Sequence, residues 1–195
     1  MMRAFWRRGF LLAALFFTLP SAASPADLAA DLAMRNNQVV RELQQLQAND
    51  DLTANTALAL IQGQISPIMN FPRITRLALG KHWRRADEQQ RAVITAAFRV
   101  LLERTYAKVL ARYSDQDVDI VDAKQQADGK IMVRMAVQGG GKRVHIDYIY
   151  GGEKVEDVKV EGVSLIANYR RQFSQIIRQS GVAGLVAKLE LLMGK

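Results

Sequence analysis

The sequence predicts an α+β fold, with helices segregated against one face of a curved four-stranded antiparallel sheet. Apolar residues recur at helical spacing through the first half of the chain. From Asp117 the period changes from 3.6 to 2, and after Gly162 it returns to 3.6. Helices, then a run of strands joined by glycine turns, then helices again is the pattern of a sheet covered by helices rather than of alternating βα units.

Each element has its own signal. Leu28, Leu32, Val39, Leu43 and Leu46 fall on one narrow helical face, which Asn49-Asp50-Asp51 ends. Thr53 caps a short second helix running through Ile61. Pro67 and Phe71-Pro72 force breaks before a third segment, Arg73 to Leu79, closed by Gly80. Asp87-Glu88-Gln89-Gln90 has the arrangement of a capping box. It opens the longest expected helix, whose Ile94, Phe98, Leu101, Leu102 and Val109 share a face up to about Tyr113.

The strands alternate. Val118 and Ile120 alternate with acids; Ile131, Val133, Met135 and Val137 with Met132, Arg134, Ala136 and Gln138; Val144, Ile146, Tyr148 and Tyr150 with Arg143, His145, Asp147 and Ile149. A fourth strand passes through Val155, Val158 and Val160. Asp128-Gly129, Gly139-Gly140-Gly141 and Gly151-Gly152 are short enough for hairpins, which makes the sheet a meander. Ser164 then caps a helix carrying Leu165, Tyr169, Phe173, Ile176 and Ile177, which Gly181 ends before a last amphipathic segment from Val182 to Met193.

The first residues belong to no fold. Met1 to Arg8 carries Arg3, Arg7 and Arg8 without an acid, Gly9 to Leu19 is apolar, and Pro20 to Ser24 supplies small residues for a peptidase. An apolar run of about 11 residues falls short of the roughly 20 needed to span a bilayer. The reading is a cleaved export signal over residues 1–23, followed by a single domain over 24–195, with cleavage after Ala26 as the alternative. Periplasmic localisation follows from the signal.

Composition removes several functions. The 195 residues contain no cysteine, which excludes disulfides, thiolate metal sites, cysteine nucleophiles and lipid acylation at a cysteine. The formal net charge is +8, with 27 Lys+Arg against 19 Asp+Glu. In an exported protein such a charge points to anionic membrane surfaces or acidic protein partners before nucleic acid, and no nucleic-acid module is recognisable.

The motifs that suggest chemistry have plainer readings. Gly139-Gly140-Gly141 lacks a P-loop lysine and a following helix, and reads as a turn. Gly162-Val163-Ser164-Leu165 lacks the second glycine of a nucleophile elbow. His82 and His145 lie on different elements without zinc-ligand spacing, and His82 reads as a surface residue beside Trp83. Asp117, Asp119 and Asp122 lack the glycine and terminal glutamate of a calcium loop, and read as the solvent face of an edge strand. Phe71 to Ala86 carries Arg73, Arg76, Lys81, Arg84 and Arg85 without an acid. That stretch is either a solvated surface or a patch facing head groups or an acidic partner.

Several stretches together resemble the MlaC family of periplasmic phospholipid-binding proteins, also described as toluene-tolerance or ABC-transporter auxiliary components. They are Ile65-Ser66-Pro67-Ile68-Met69-Asn70-Phe71, Leu79-Gly80-Lys81-His82-Trp83-Arg84, Gln90-Arg91, Ala97-Phe98-Arg99, Leu102-Glu103-Arg104-Thr105-Tyr106, Asp157 to Leu165, and Asn168 to Phe173. Two positions depart: Asn70 stands where the family commonly has aspartate, and Glu153 where a tryptophan usually begins the fourth strand. The resemblance implies a monomeric, non-enzymatic shuttle without a cofactor, whose cargo is phospholipid. It would pass between an inner-membrane MCE-domain ABC transporter and an outer-membrane lipoprotein–porin complex, maintaining outer-membrane lipid asymmetry.

The resemblance also implies an apolar pocket between sheet and helices. Its expected lining is Phe71, Leu79, Phe98, Leu102, Tyr106, Val133, Met135, Ile146, Tyr148, Val158, Val160, Leu165, Tyr169 and Phe173, with Arg84, Arg85, Arg170 and Arg171 for head-group or partner docking. The physical demand is clear, since two acyl chains of about 15 methylenes each would cost on the order of 24 kcal/mol to expose to water at roughly 0.8 kcal/mol per methylene. The same residues would equally fill a closed core, as in an adaptor that binds only protein. A secreted hydrolase on a similar scaffold would instead need a polar acid–base group in the pocket, for which the strands offer His145 and Asp147.

Overall fold

The computed structural model describes residues 23–112, 117–139 and 141–193. Helix α1 (Pro25–Ala48) is opened by Ser24, whose hydroxyl accepts from the Asp27 amide at 3.2 Å while Asp27 accepts from the Ser24 amide at 3.0 Å. Pro25 occupies the first turn, where its missing N–H costs nothing. The face with Leu28, Leu32, Val39 and Leu43 is buried as its spacing predicts. Thr53 caps α2 (Ala54–Leu60), and the chain then winds on through a π-helical turn, Ile61–Ile65, and a 3-10 turn, Ser66–Ile68.

Helix α3 (Phe71–Leu79) begins two residues before the expected Arg73. Phe71-Pro72 is part of the helix rather than a break before it, because proline is tolerated in a first turn. The Asn70 side chain accepts from the Arg73 amide at 3.1 Å, the capping role an aspartate there would serve. Gly80 closes the helix at φ 54°, with the stem of Arg170 lying 3.5 Å from where a Cβ would stand.

The 3-10 turn Gly80–Arg85 corrects the reading of His82 as a surface residue: its ring is buried, with 2% exposed. The turn lies against the last helix and tucks the imidazole inward, while Lys81, Arg84 and Arg85 stay in solvent. Trp83 is half-buried, with the Arg91 guanidinium 4.9 Å above its ring.

Helix α4 (Glu88–Leu110) has the expected capping box, with Gln90 N–H to Asp87 Oδ1 at 2.8 Å and Asp87 N–H to Gln90 Oε1 at 3.1 Å. At 23 residues it is one shorter than α1, which makes α1 the longer of the two. Its expected end near Tyr113 lies outside the described residues. Val109, placed on the buried face by spacing, is 64% exposed, because toward its C-terminus the helix packs on α2 through Ala107 instead.

The sheet has five strands rather than four: β1 (Asp117–Gln125), β2 (Ile131–Gly139), β3 (Lys142–Gly151), β4 (Lys154–Val160) and β5 (Val163–Ser164), antiparallel in that order. The fifth is too short for an alternating pattern to reveal. It forms because Glu161 and Gly162 both take positive φ, 48° and 78°, and fold the chain back on β4. Register shifts at Ile120/Asp122 and Ile149/Tyr150 bend the sheet. Edge strand β1 exposes Asp117 and Asp119, as expected, while Asp122, past the register shift, is half-buried.

Helix α5 (Leu165–Met193) bends at Gly181, where φ is 70° and ψ −178°. At its start Ser164 Oγ accepts from the Ala167 amide at 3.0 Å, the expected cap.

Candidate functional site

The apolar interior divides into two main clusters. Between helices, Phe71, Leu79, Phe98, Leu102 and Phe173 are buried together, with Tyr106, Leu165 and Tyr169 half-buried against them. Phe98 is the hub, its ring centroid 4.8 Å from Tyr169 and 5.0 Å from Phe173 in edge-to-face contacts. On the covered face of the sheet, Val133, Met135 and Tyr148 are buried with Leu28, Leu32, Ile68, Tyr150 and Val155, and Ile146 and Val158 pack at the margin. Met69 touches both clusters and marks the seam between them.

Sequence reasoning therefore brought together residues that the fold distributes over two neighbouring groups. Val160 joins neither; it is 39% exposed at the β4–β5 turn, opposite Val163, where the sheet runs past its helical cover. Leu28, Leu32, Ile68, Tyr150 and Val155 were absent from the expected lining. The signal for Tyr150 was available, since it continues the alternation of Ile146 and Tyr148, and the helical face of α1 was already marked.

Two hollows border the sheet cluster. One, of about 220 Å³, lies between α1 and β1 and is lined by Ala33, Asn36, Asn37, Val118, Asp119 and Ile120. The other, of about 470 Å³, is bounded by Ser24, Pro25, the turns at Gly129 and Gly152, Ile131 and Glu153. Neither is lined by the residues expected from the sequence. Glu153, where a tryptophan was expected, leaves the second hollow with a small polar wall in place of a large ring.

Several polar groups around the interior are tied off. Glu103, only 3% exposed, accepts from Ser66 Oγ at 2.6 Å, Arg99 Nε at 2.7 Å and Gln62 Nε2 at 3.0 Å. Burial pushes its carboxyl up, and these three hydrogen bonds more than offset that, holding it below the ordinary value. Asn36 Nδ2 reaches Met135 Sδ at 2.9 Å, joining α1 to the sheet. Burial raises both Tyr106 and Tyr148 to about 12, so both hydroxyls stay protonated at neutral pH.

His145 and Asp147 lie on the strand face opposite the apolar cluster, since they alternate with Ile146 and Tyr148. Arg134 grips Asp147 through two bonds, Nε–Oδ1 at 2.6 Å and Nη2–Oδ2 at 2.9 Å, and holds its carboxyl low. Among the described residues no group of three or more metal-ligating side chains converges. No described helix is long and apolar enough to cross a membrane.

Arg84, Arg85, Arg170 and Arg171 are exposed, and none forms an ion pair among the described residues. Arg170 Nε donates to Leu77 O at 2.8 Å, which sets it beside the Gly80–Arg85 turn carrying Arg84 and Arg85. Among the described residues Arg171 donates only to Asn168 Oδ1, at 3.2 Å.

A curved antiparallel sheet covered by helices over an apolar interior defines an α+β domain of the enclosing kind. The chain belongs to the MlaC family: the profile described as MlaC protein matches residues 35–191. It is 24% identical over 192 residues to the intermembrane phospholipid transport system binding protein MlaC of Haemophilus influenzae, covering 93% of this chain and 88% of that protein. Its fold is similar, at a TM-score of 0.72 and 31% identity, to the phospholipid-binding protein of Ralstonia solanacearum solved in complex with a phospholipid, covering 84% of this chain and 94% of that one.

Proposed function

We propose that this chain is a periplasmic phospholipid carrier that shuttles lipid between an inner-membrane MCE-type ABC transporter and an outer-membrane lipoprotein–porin complex, and so maintains outer-membrane lipid asymmetry. The observation that carries the reading is the likeness, over 84% of the chain, to a protein solved with phospholipid bound. The apolar clusters on either side of Met69 supply the chemistry that acyl chains require, and the chains enter along that seam. Exposed Arg84, Arg85, Arg170 and Arg171 dock the carrier on acidic partner surfaces or head groups, where guanidinium forks suit carboxylate and phosphate alike. Residues 1–23 act as the export signal. Cleavage after Ala23 keeps the Ser24 capping box of α1, whereas cleavage after Ala26 would delete it.

The hydrolase alternative fits poorly, because Asp147 is committed to Arg134 and faces away from the apolar cluster. The test is to purify the protein without detergent, extract it with organic solvent and identify the extract by mass spectrometry. About one diacyl phospholipid per chain is expected. A folded protein that yields none, and takes up none from vesicles, is instead an adaptor that binds only protein.

A further inference from the structure

Tyr150 is 1% exposed, and its hydroxyl is a buried polar atom without a hydrogen-bond partner among the described residues. Other such atoms, on Arg73, Thr75 and His82, belong to residues outside the sheet cluster; Tyr150 belongs to it, packed with Leu32, Val133 and Val155. Nearby charged groups are engaged with each other. Arg35 donates from Nε to Asp31 Oδ2 at 2.8 Å and from Nη1 to Gln64 O at 3.2 Å, and Asn36 reaches Met135. A buried hydroxyl left without a partner is costly, and an apolar valine or leucine environment offers it none. Burial raises its ionisation above the ordinary tyrosine value, so the group is a standing O–H donor.

Resting on the carrier reading above, we infer that the Tyr150 hydroxyl is a recognition point for one of the two ester carbonyls of a bound diacyl lipid, the polar acceptors that such a cargo carries at the head of its chains. A carbonyl oxygen arriving in the sheet cluster would satisfy the donor that the protein alone leaves unpaired. An ether-linked lipid of the same chain length and head group fills the same apolar volume but brings no carbonyl. Tyr150 therefore selects acyl esters over alkyl ethers. A site built around a buried polar group discriminates against the analogue that leaves it unpaired, which sets this preference at roughly ten- to hundred-fold.

The test offers the delipidated full-length mature protein equal amounts of dipalmitoyl phosphatidylglycerol and its dihexadecyl ether counterpart in mixed vesicles, and measures the ratio recovered with the protein by mass spectrometry. The ester form is expected to exceed the ether form at least about ten-fold. In Tyr150→Phe the ratio should fall toward one, while the melting temperature holds or rises because no native hydrogen bond is lost. Equal uptake by the wild type overturns the inference and leaves the carrier reading intact, a result that does not depend on the variant folding. An undiminished preference in a folded Tyr150→Phe overturns it too. Uptake of neither lipid removes the carrier reading and this inference together.

Discussion

Ser66 Oγ donates to Glu103 Oε1 across 2.6 Å, fastening the turn that leads to Met69 onto the middle of α4. Both side chains are buried, so the bond is shielded from water. Removing the hydroxyl deprives a buried carboxylate of one of three donors. Ser66→Ala should lower stability by about 1.5–3 kcal/mol, read as a shifted urea midpoint at unchanged slope. Because the folded-state Glu103 carboxyl ionises below its ordinary 4.5, its contribution is present above that value and is lost as pH falls through the folded-state value. An unchanged midpoint in Ser66→Ala would mean that Gln62 and Arg99 suffice.

His82 predicts a pH effect nearer neutrality. Burial lowers its ionisation below the ordinary 6.5, assisted by Lys81 and Arg85 on its own turn and Arg178 on α5. The unfolded chain then takes up a proton before the folded one, so stability present above about pH 6.5 declines as the medium is acidified below it. Replacing His82 by leucine removes two unpartnered nitrogens and should flatten this slope. Parallel melting curves at about pH 7.5 and 5.5 for wild type and His82→Leu decide the matter, and identical slopes would remove His82 as the source.

Bulk added on the covered face of the sheet should exclude cargo. Val133 is fully buried and Ile146 lies at the cluster's margin, so tryptophan at either position occupies space that acyl chains would need. Overpacking at Val133 should cost about 1–3 kcal/mol. Far-UV circular dichroism should be preserved while extracted lipid falls several-fold. Undiminished lipid in both folded variants would move the cargo to the opposite strand face.

On the proposed carrier reading, reversing the charge of Arg84 with Arg85, or of Arg170 with Arg171, should slow association with the MCE component of the proposed transporter partner and reduce its salt dependence. Steering acts chiefly on the on-rate, and exposed unpaired charges contribute little to folding. Surface-plasmon measurements at low and moderate salt should separate the variants from wild type, with thermal stability nearly unchanged for the Arg84/Arg85 pair and modestly lowered for the Arg170/Arg171 pair, which loses the bond to Leu77 O. Association unaffected by reversing both pairs would return these arginines to the ordinary solvated surface.

Much of this architecture is legible in residue order because its signals are local. The Asp87–Gln90 capping box, the Gly80 stop and the alternation across β2 and β3 each depend on residues close in sequence. What escaped depends on where one element meets another. Lys81-His82-Trp83-Arg84-Arg85 reads as surface until α5 covers the imidazole, and Val109 keeps its helical phase but points away from α2, which the helix meets through Ala107 and Leu110. Glu103 shows in sequence only as a charge amid apolar neighbours; Ser66 and Gln62, 37 and 41 residues away, are what make it structural. Most of the residues expected to line a pocket are buried or half-buried, yet periodicity does not reveal that they divide at Met69.

The indole of Trp83 sits beneath Arg91 and next in the chain to a buried imidazole. The chain's other tryptophan, Trp6, precedes the expected cleavage point, so a protein cleaved there would carry a single indole. Its fluorescence is then a built-in gauge of one small region. Protonated imidazole quenches indole, so emission that dims on acidification would report the charging of His82, and a spectral shift on contact with a partner would report burial at the Gly80–Arg85 turn, without any attached label.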